Sequence, residues 1–250
     1  MTTIDQRVEA DGAQRSPGRR PRWLRELWVV PFAVYCLGFT IYGGYRYVTL
    51  DPALSRVPLR PEVPLHYTLL TAHVLTGMVA AALAWLQVWP WLRETHPVVH
   101  RRIGWVYYLV GVFPSVVLAF PVAVFTPAGQ AIRLVLIAMS TLWAITVVAG
   151  FRAVLQRRYE DHRRWMYRNV AMTTTIITSR WVGMLGIEVT LVLLPETYGT
   201  QQRLLFEGMN ATALWTAITV HLLFVEWVVL RPRRRRRAAA NSRAAAAVAR

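Results

Sequence analysis

The chain has 250 residues, of which 55% are hydrophobic and 17% charged, and this balance excludes an ordinary soluble basic domain. The net charge of +16 comes from 29 basic residues, all arginine, which cluster at the chain ends and between long apolar runs. That placement indicates loops held at a membrane face and argues against nucleic acid as a partner. The single cysteine, Cys36, excludes an internal disulfide and a thiolate metal site.

Six windows along the chain are apolar for about 20 residues or more, the length at which an α-helix crosses the hydrocarbon core. They lie at about 28–49, 67–91, 103–125, 132–154, 169–194 and 210–230. The sequence therefore predicts an all-α fold, an integral membrane bundle of six transmembrane helices within residues 28–230. Residues 1–27 are predicted to be a disordered tail, and residues 231–250 a basic, alanine-rich tail.

The segments between the windows alternate in charge. Most arginines lie in residues 1–27, 92–102, 155–168 and 231–250, whereas the other connections are rich in proline and glycine. Because loops rich in arginine stay on the cytoplasmic side, both termini are predicted to be cytoplasmic. The bilayer, and its anionic lipids in particular, are the expected partners of these arginines.

The second and third windows each carry polar and small residues at spacings that place them on one helical face. In the second window this stripe consists of His66, His73, Ala80 and Gln87, seven residues apart, flanked by Gly77 and Ala84. In the third window it consists of His100, Gly104, Tyr107 and Gly111. Because lipid cannot satisfy imidazole or amide groups, we expect both stripes to point inward and to meet.

The fifth and sixth windows carry ionisable residues within apolar sequence. Arg180 lies near the predicted membrane midplane, where an arginine is costly unless it is paired or hydrated. A structural ion pair and a ligand-binding role both remain open for it. Glu188 lies nearer the outer surface, and His221 and Glu226 lie in the sixth window. His73 and His221 are read either as packed core histidines or as ligands, and Glu226 either as a partner of Arg180 or as one of Arg231.

Two basic segments, 100–107 and 162–168, show a short likeness. The first contains His100-Arg101-Arg102 followed by Tyr107, and the second contains His162-Arg163-Arg164 followed by Tyr167. A repeat of two helical hairpins and a chance likeness of basic loops both explain this match. Each segment is read either as an anchor to anionic lipid or as part of an anion site.

These motifs resemble the bacterial family of predicted membrane proteins called domain of unknown function 2306. The likeness covers about residues 66–190, and its most specific parts are His-Arg-x-x-Gly-x-x-Tyr from His100 and the block from His162 to Arg168. The chain departs from the family pattern at Trp89 and Trp105. The resemblance implies a multi-pass protein of a bacterial inner (cell) membrane, and the family name specifies no activity.

Two functional classes follow from the polar residues. One is redox: haem b or a quinone held by interior histidines, with His100 and His162 as an inner pair and His73 and His221 as an outer pair of candidate haem ligands. The other is transport or binding of an anionic small molecule or lipid headgroup. The residues expected to line that site or to form the polar core are Gln87, Arg101, Arg163, Arg164, Trp165, Arg168, Arg180 and Glu188. Since the sequence has no HExxH, GxSxG or phosphate-loop motif, an enzyme is the less favoured class and no catalytic residue is assigned.

Overall fold

The structure is a computed structural model that describes residues 26–55, 57–198 and 201–231, and every regular element in these ranges is helical. The elements are α1 (Val29–Val48), α2 (His66–Val88), α3 (Pro90–Thr95), α4 (Pro97–Phe125), α5 (Gln130–Leu155), α6 (Tyr159–Leu193), α7 (Pro195–Tyr198) and α8 (Gln202–Phe224). A short 3₁₀ turn, Pro52–Leu54, follows α1, and a π-helical turn, Val225–Leu230, extends α8. The predicted terminal tails lie outside the described residues, apart from a few residues next to α1 and α8.

Five of these helices are long and apolar enough to cross a membrane: α2, α4, α5, α6 and the segment Gln202–Val228. The protein is therefore an all-helical membrane protein with several candidate spans. α1, predicted to be the first span, is 20 residues long and is not one of these five.

Proline sets the boundary between α2 and the helices that follow it. The second window was predicted to continue to residue 91, but α2 ends at Val88 and Trp89 is extended (φ −72°, ψ 113°). Pro90 disfavours the helical conformation of the residue before it, and this explains the break. Pro90 and Pro97 then stand at the first positions of α3 and α4, where their missing N–H groups cost nothing.

Both His-Arg-Arg segments lie on helices, so their prediction as loops was wrong. α4 begins at Pro97 and α6 at Tyr159, several residues before the apolar windows. At 1.5 Å per residue the 35 residues of α6 span about 52 Å, more than the hydrocarbon core of about 30 Å. The charged first turns of α6 therefore extend beyond the apolar layer.

The helices pack as two antiparallel pairs, α2 with α4 and α5 with α6. α1 lies against α2, and α8 lies against α6 and α5. The buried core draws on all of these helices and includes Cys36, Ala80, Tyr107, Val147 and Leu214. α6 contacts α1, α2, α5 and α8, so it is central to the bundle.

The predicted meeting of the polar stripes of α2 and α4 is confirmed at Gly111. A Cβ atom on Gly111 would lie only 2.9 Å from the backbone nitrogen of Ala80. Near one end of this contact, His73 Nδ1 donates to the carbonyl oxygen of Ser115 at 2.9 Å. Near the other end, a Cβ on Gly104 would lie 3.5 Å from Gln87 Oε1. Small residues allow the two helix backbones to approach this closely.

Candidate functional site

A buried polar network links α4, α5 and α6 in the centre of the bundle. Tyr107, with 0% of its surface exposed, donates its hydroxyl to Asn169 Oδ1 at 2.7 Å and lies 3.0 Å from Thr173 Oγ1. Trp143 Nε1 donates to the same Thr173 oxygen at 3.1 Å, and Asn169 Nδ2 donates to Thr146 Oγ1 at 3.0 Å. Since these polar atoms have partners within the protein, the network locks three helices together.

The π-helical turn Tyr107–Val112 within α4 positions two consecutive tyrosines in the core. Tyr108 is 5% exposed, and its hydroxyl lies 3.0 Å from the sulfur of Met166. From this wider turn both hydroxyls contact α6, the Tyr108 ring also packs against Phe151 of α5, and Gly111 faces α2. Sequence analysis had singled out Tyr107 but not this turn.

A second polar chain connects α1, α6 and α8 through His221. Its Nδ1 donates to the carbonyl oxygen of Ala171 at 2.8 Å, and its Nε2 lies 2.8 Å from Thr178 Oγ1. Tyr35 of α1 also hydrogen-bonds Thr178 Oγ1. Both ring nitrogens of His221 are thus engaged within the protein, as expected for a packed core histidine. Sequence analysis missed Tyr35, because a tyrosine in an apolar window has no periodic signal.

Most arginines of the second basic segment are paired with acids. Arg163 lies 3.0 Å from Glu160, and Arg164 lies 3.4 Å from Asp161, each one turn along α6. These pairs partly neutralise the segment and weaken it as an anion site.

The guanidinium of Arg168 lies 2.5 Å from Glu226, in the π-helical turn that extends α8. It also stacks over the ring of Trp165, on its own helix, at 4.7 Å from the ring centroid. Among the described residues Glu226 therefore pairs with Arg168, a partner that the sequence had not indicated. This pair ties the charged end of α6 to the end of α8.

The basic end of the α2–α4 pair contains buried polar atoms that have no hydrogen-bond partner among the described residues. Gln87 is 6% exposed, and its Nε2 is one such atom; Nδ1 of His100 is another. Gly104 stands beside Gln87 and one turn after His100. His100 also lies close enough to Arg93 and His162 for their charges to interact. A donor amide and an imidazole therefore lie near the first turns of α4, and Arg93 of α3 interacts electrostatically with the imidazole.

Among the remaining predicted residues, His162 borders this cluster through its interaction with His100, and the others lie elsewhere. His162 Nδ1 donates to the carbonyl oxygen of Gly150 at 2.9 Å, and Arg101 lies exposed on α4. Arg180 and Glu188 are exposed on the outward face of the second half of α6. Thr173, seven residues before Arg180 on α6, is buried, whereas Arg180 is exposed.

Within the described residues, no group of three or more histidine, cysteine, aspartate or glutamate side chains is placed to hold a metal ion. The polar interior is thus built from hydrogen-bonded pairs and chains.

Comparison with known proteins identifies a family. The model of the family described as "Predicted membrane protein (DUF2306)" matches residues 70–229, which run from α2 into the π-helical turn after α8. No curated protein matches the chain. No solved structure matches it either.

Proposed function

Because the chain belongs to this family of predicted membrane proteins, whose name specifies no activity, we propose a function from the geometry of the site. The protein binds an anionic oxygen group, a phosphate or carboxylate, at the end of the bundle where α2 meets α4. The group belongs either to a small solute or to a lipid headgroup. Gln87 and His100 are its buried donors, and the nearby arginines supply positive charge.

The observation that carries this proposal is the unpartnered Nε2 of Gln87. A buried amide nitrogen without an acceptor costs about 1–3 kcal/mol, so its retention calls for an acceptor supplied by a ligand. The Nδ1 atom of His100 adds a second group with the same need.

The arginines around this end differ in what they can contribute. Arg163 and Arg164 are paired with acids of their own helix, so they serve mainly to anchor the start of α6. Arg101 and Arg102 are exposed on α4 and face the region of lipid headgroups. The site is thus centred on α2 and α4, and the second His-Arg-Arg segment forms its margin.

The proposal includes the membrane arrangement. α1 joins the five candidate spans as a sixth, both termini are cytoplasmic, and the membrane is a bacterial inner membrane. The contact of Tyr35 with Thr178, in the middle of α6, supports α1 as a sixth span because it places α1 alongside an apolar span. The concentration of arginine at the ends of α2, α5 and α8 supports the orientation.

The test is ligand binding by the purified full-length chain in lipid nanodiscs. Inorganic phosphate and phosphatidylglycerol are the probes, and Gln87→Leu is the variant. Loss of a hydrogen bond to a charged group, worth about 1.5–3 kcal/mol, should weaken binding by about tenfold or more. Gln202→Leu, at an exposed glutamine at the start of α8, is the matched control and should bind normally. Equal binding by both variants, or no binding of either probe to the natural chain, would refute the proposal.

Haem b is a second candidate, and the inner histidine pair is the one that favours it. The Nδ1 atom of His162 is held by a backbone carbonyl, which leaves Nε2 as the free ring nitrogen, and His100 lies within electrostatic range. The outer pair is less suitable because both nitrogens of His221 are engaged. Protein purified after expression with added haem should then show a Soret band that His162→Phe abolishes. An absorption spectrum without this band would exclude haem.

A further inference from the structure

At the opposite end of the α2–α4 pair, His66 forms the first residue of α2 and is almost fully buried, with 1% of its surface exposed. The backbone N–H of Arg60 donates to His66 Nδ1 at 3.0 Å. Since Nδ1 accepts this bond, a neutral ring carries its proton on Nε2. That Nε2 has no partner among the described residues, so a buried donor is left without an acceptor.

A second unpartnered donor is the Nε atom of Arg133, on α5. The guanidinium of Arg133 is fixed by the Thr126 carbonyl oxygen and by Gln130 Oε1, each at 3.2 Å. Its buried Nε has no partner in the described part of the chain. Phe125, next to Thr126, meets the His66 ring edge-on with centroids 6.4 Å apart. Both donors therefore flank the turn between α4 and α5.

An open cavity of about 540 Å³ lies between the same two segments. It is lined by Leu59, Arg60, Pro61, Glu62, Val63 and Pro127. One wall is the loop whose Arg60 holds His66, and the other is Pro127, the neighbour of the residue that holds Arg133. Most of its lining is apolar, which suits a ligand that combines an acceptor head with a hydrocarbon body.

The charges in and next to the cavity indicate what charge the head group of the ligand carries. Arg60 and Glu62 line the cavity with opposite charges. His66, held by the Arg60 loop, is neutral in the tautomer required above, and Arg133, held by the neighbour of Pro127, adds one positive charge, so the net charge in and next to the cavity is about one positive unit. A singly charged head satisfies that balance, whereas Glu62 would repel a polyanion. A carboxylate has two oxygens that can accept from two separate N–H donors.

We propose that this end of the bundle is a second binding site, which takes a monocarboxylate with a hydrocarbon chain through His66 Nε2 and Arg133 Nε. The acid comes either from solution as a short-chain acid or from the bilayer as a fatty acid. This site is independent of the one at Gln87, because it uses different residues at the other end of α2.

Calorimetric titration of the full-length chain in fatty-acid-free nanodiscs tests the proposal, with octanoate, acetate and 1-octanol as probes. Octanoate should bind and 1-octanol should not, since the alcohol lacks the carboxylate. Acetate binding as well would identify a site for solutes, and binding of octanoate alone a site for lipid-derived acids. Failure of octanoate to bind, or equal binding of octanoate and 1-octanol, would overturn the proposal.

Single-residue variants distinguish the loss of a hydrogen-bond donor from a loss of folding. His66→Asn keeps an acceptor for the Arg60 amide but removes the Nε2 donor, and it should weaken octanoate binding by about tenfold or more. His66→Gln, whose amide nitrogen can replace Nε2, should retain most of the affinity. Arg133→Gln should behave like His66→Asn, whereas Arg46→Gln, which removes one positive charge at the end of α1, should leave binding unchanged. Equal affinities in His66→Asn and the natural chain, with melting temperatures unaltered, would refute the role of His66.

Discussion

The hydroxyl of Tyr107 lies 2.7 Å from Asn169 Oδ1, and each residue stands seven positions after a histidine that precedes arginine. Tyr107 follows His100 on α4, and Asn169 follows His162 on α6. Corresponding positions of the α2–α4 and α5–α6 pairs thus meet at the centre of the bundle. The sequence likeness had matched Tyr107 with Tyr167, which is five positions after His162. Under the hypothesis of two related hairpins, the residue that corresponds to Tyr107 is therefore Asn169 and not Tyr167.

Tyr107→Phe should destabilise the bundle because it leaves Asn169 and Thr173 without one buried partner. Hydrogen bonds between transmembrane helices contribute about 0.6 kcal/mol on average and up to about 1.7, and the upper part of this range is expected here. Tyr159→Phe, at the start of α6, is the control because Tyr159 is 64% exposed. Unfolding in a denaturing detergent measures both. Equal stability of the two variants would show that the central network is not stabilising.

Gly111→Ala should separate α2 from α4, since the new methyl group would meet the Ala80 backbone at 2.9 Å. Overpacking of this kind costs about 1–3 kcal/mol. Gly38→Ala in α1, where an added Cβ meets nothing within 4 Å, should be neutral or slightly stabilising. Melting temperatures of the two variants give the comparison. A Gly111→Ala protein as stable as the natural chain would contradict the close approach of the helices.

Tyr35 and His221 should be energetically coupled, because both hydrogen-bond Thr178. In a double-mutant cycle, Tyr35→Phe and His221→Phe together should cost less than the sum of the single changes, by about 0.5 kcal/mol or more. His162→Phe supplies the control pair with Tyr35→Phe. His162 is 16 residues from Thr178 on α6, about 24 Å away, and these two changes should be additive. Additive costs for Tyr35 and His221 would mean that the chain through Thr178 does not form.

The ion pair between Arg168 and Glu226 should matter more than the exposed pair between Arg203 and Glu207. Arg168 has a side chain only 16% exposed, whereas that of Arg203 is 85% exposed. Arg168→Glu should therefore lower stability measurably, and the swapped double variant with Glu226→Arg should recover part of the loss. Arg203→Glu should cost at most about 1 kcal/mol, as is usual for surface pairs. Thermal unfolding checks each variant, and a swap that recovers nothing would count against the pair.

Reporter fusions test the proposed orientation. A fluorescent protein that folds only in the cytoplasm should fluoresce when fused after Arg250. Alkaline phosphatase, which is active only outside the cytoplasm, should be active when inserted at Pro127, between α4 and α5. The opposite result at either site would overturn the arrangement in which the basic segments face the cytoplasm.

The sequence alone determined that the chain is helical and that α2 and α4 pack through their small and polar residues. Long apolar windows are stable in lipid only as helices, because every backbone N–H and C=O must be satisfied within its own segment. The seven-residue spacing of His73, Ala80 and Gln87 was enough to predict their contact with α4, because a helical period fixes which side chains share a face. Hydropathy missed the first turns of α4 and α6, since those turns are polar yet helical.

Only the tertiary structure decided what each polar residue contacts. Arg180 lies at a predicted midplane in sequence, but its exposure depends on which helices surround α6. Asn169 and Tyr35 gained their roles from partners more than 60 positions away along the chain. Likewise, the unpartnered atoms of Gln87 and His66 became visible only when every neighbour was in place. Hydrogen bonding between helices depends on distance and orientation in three dimensions, and one-dimensional spacing does not encode either.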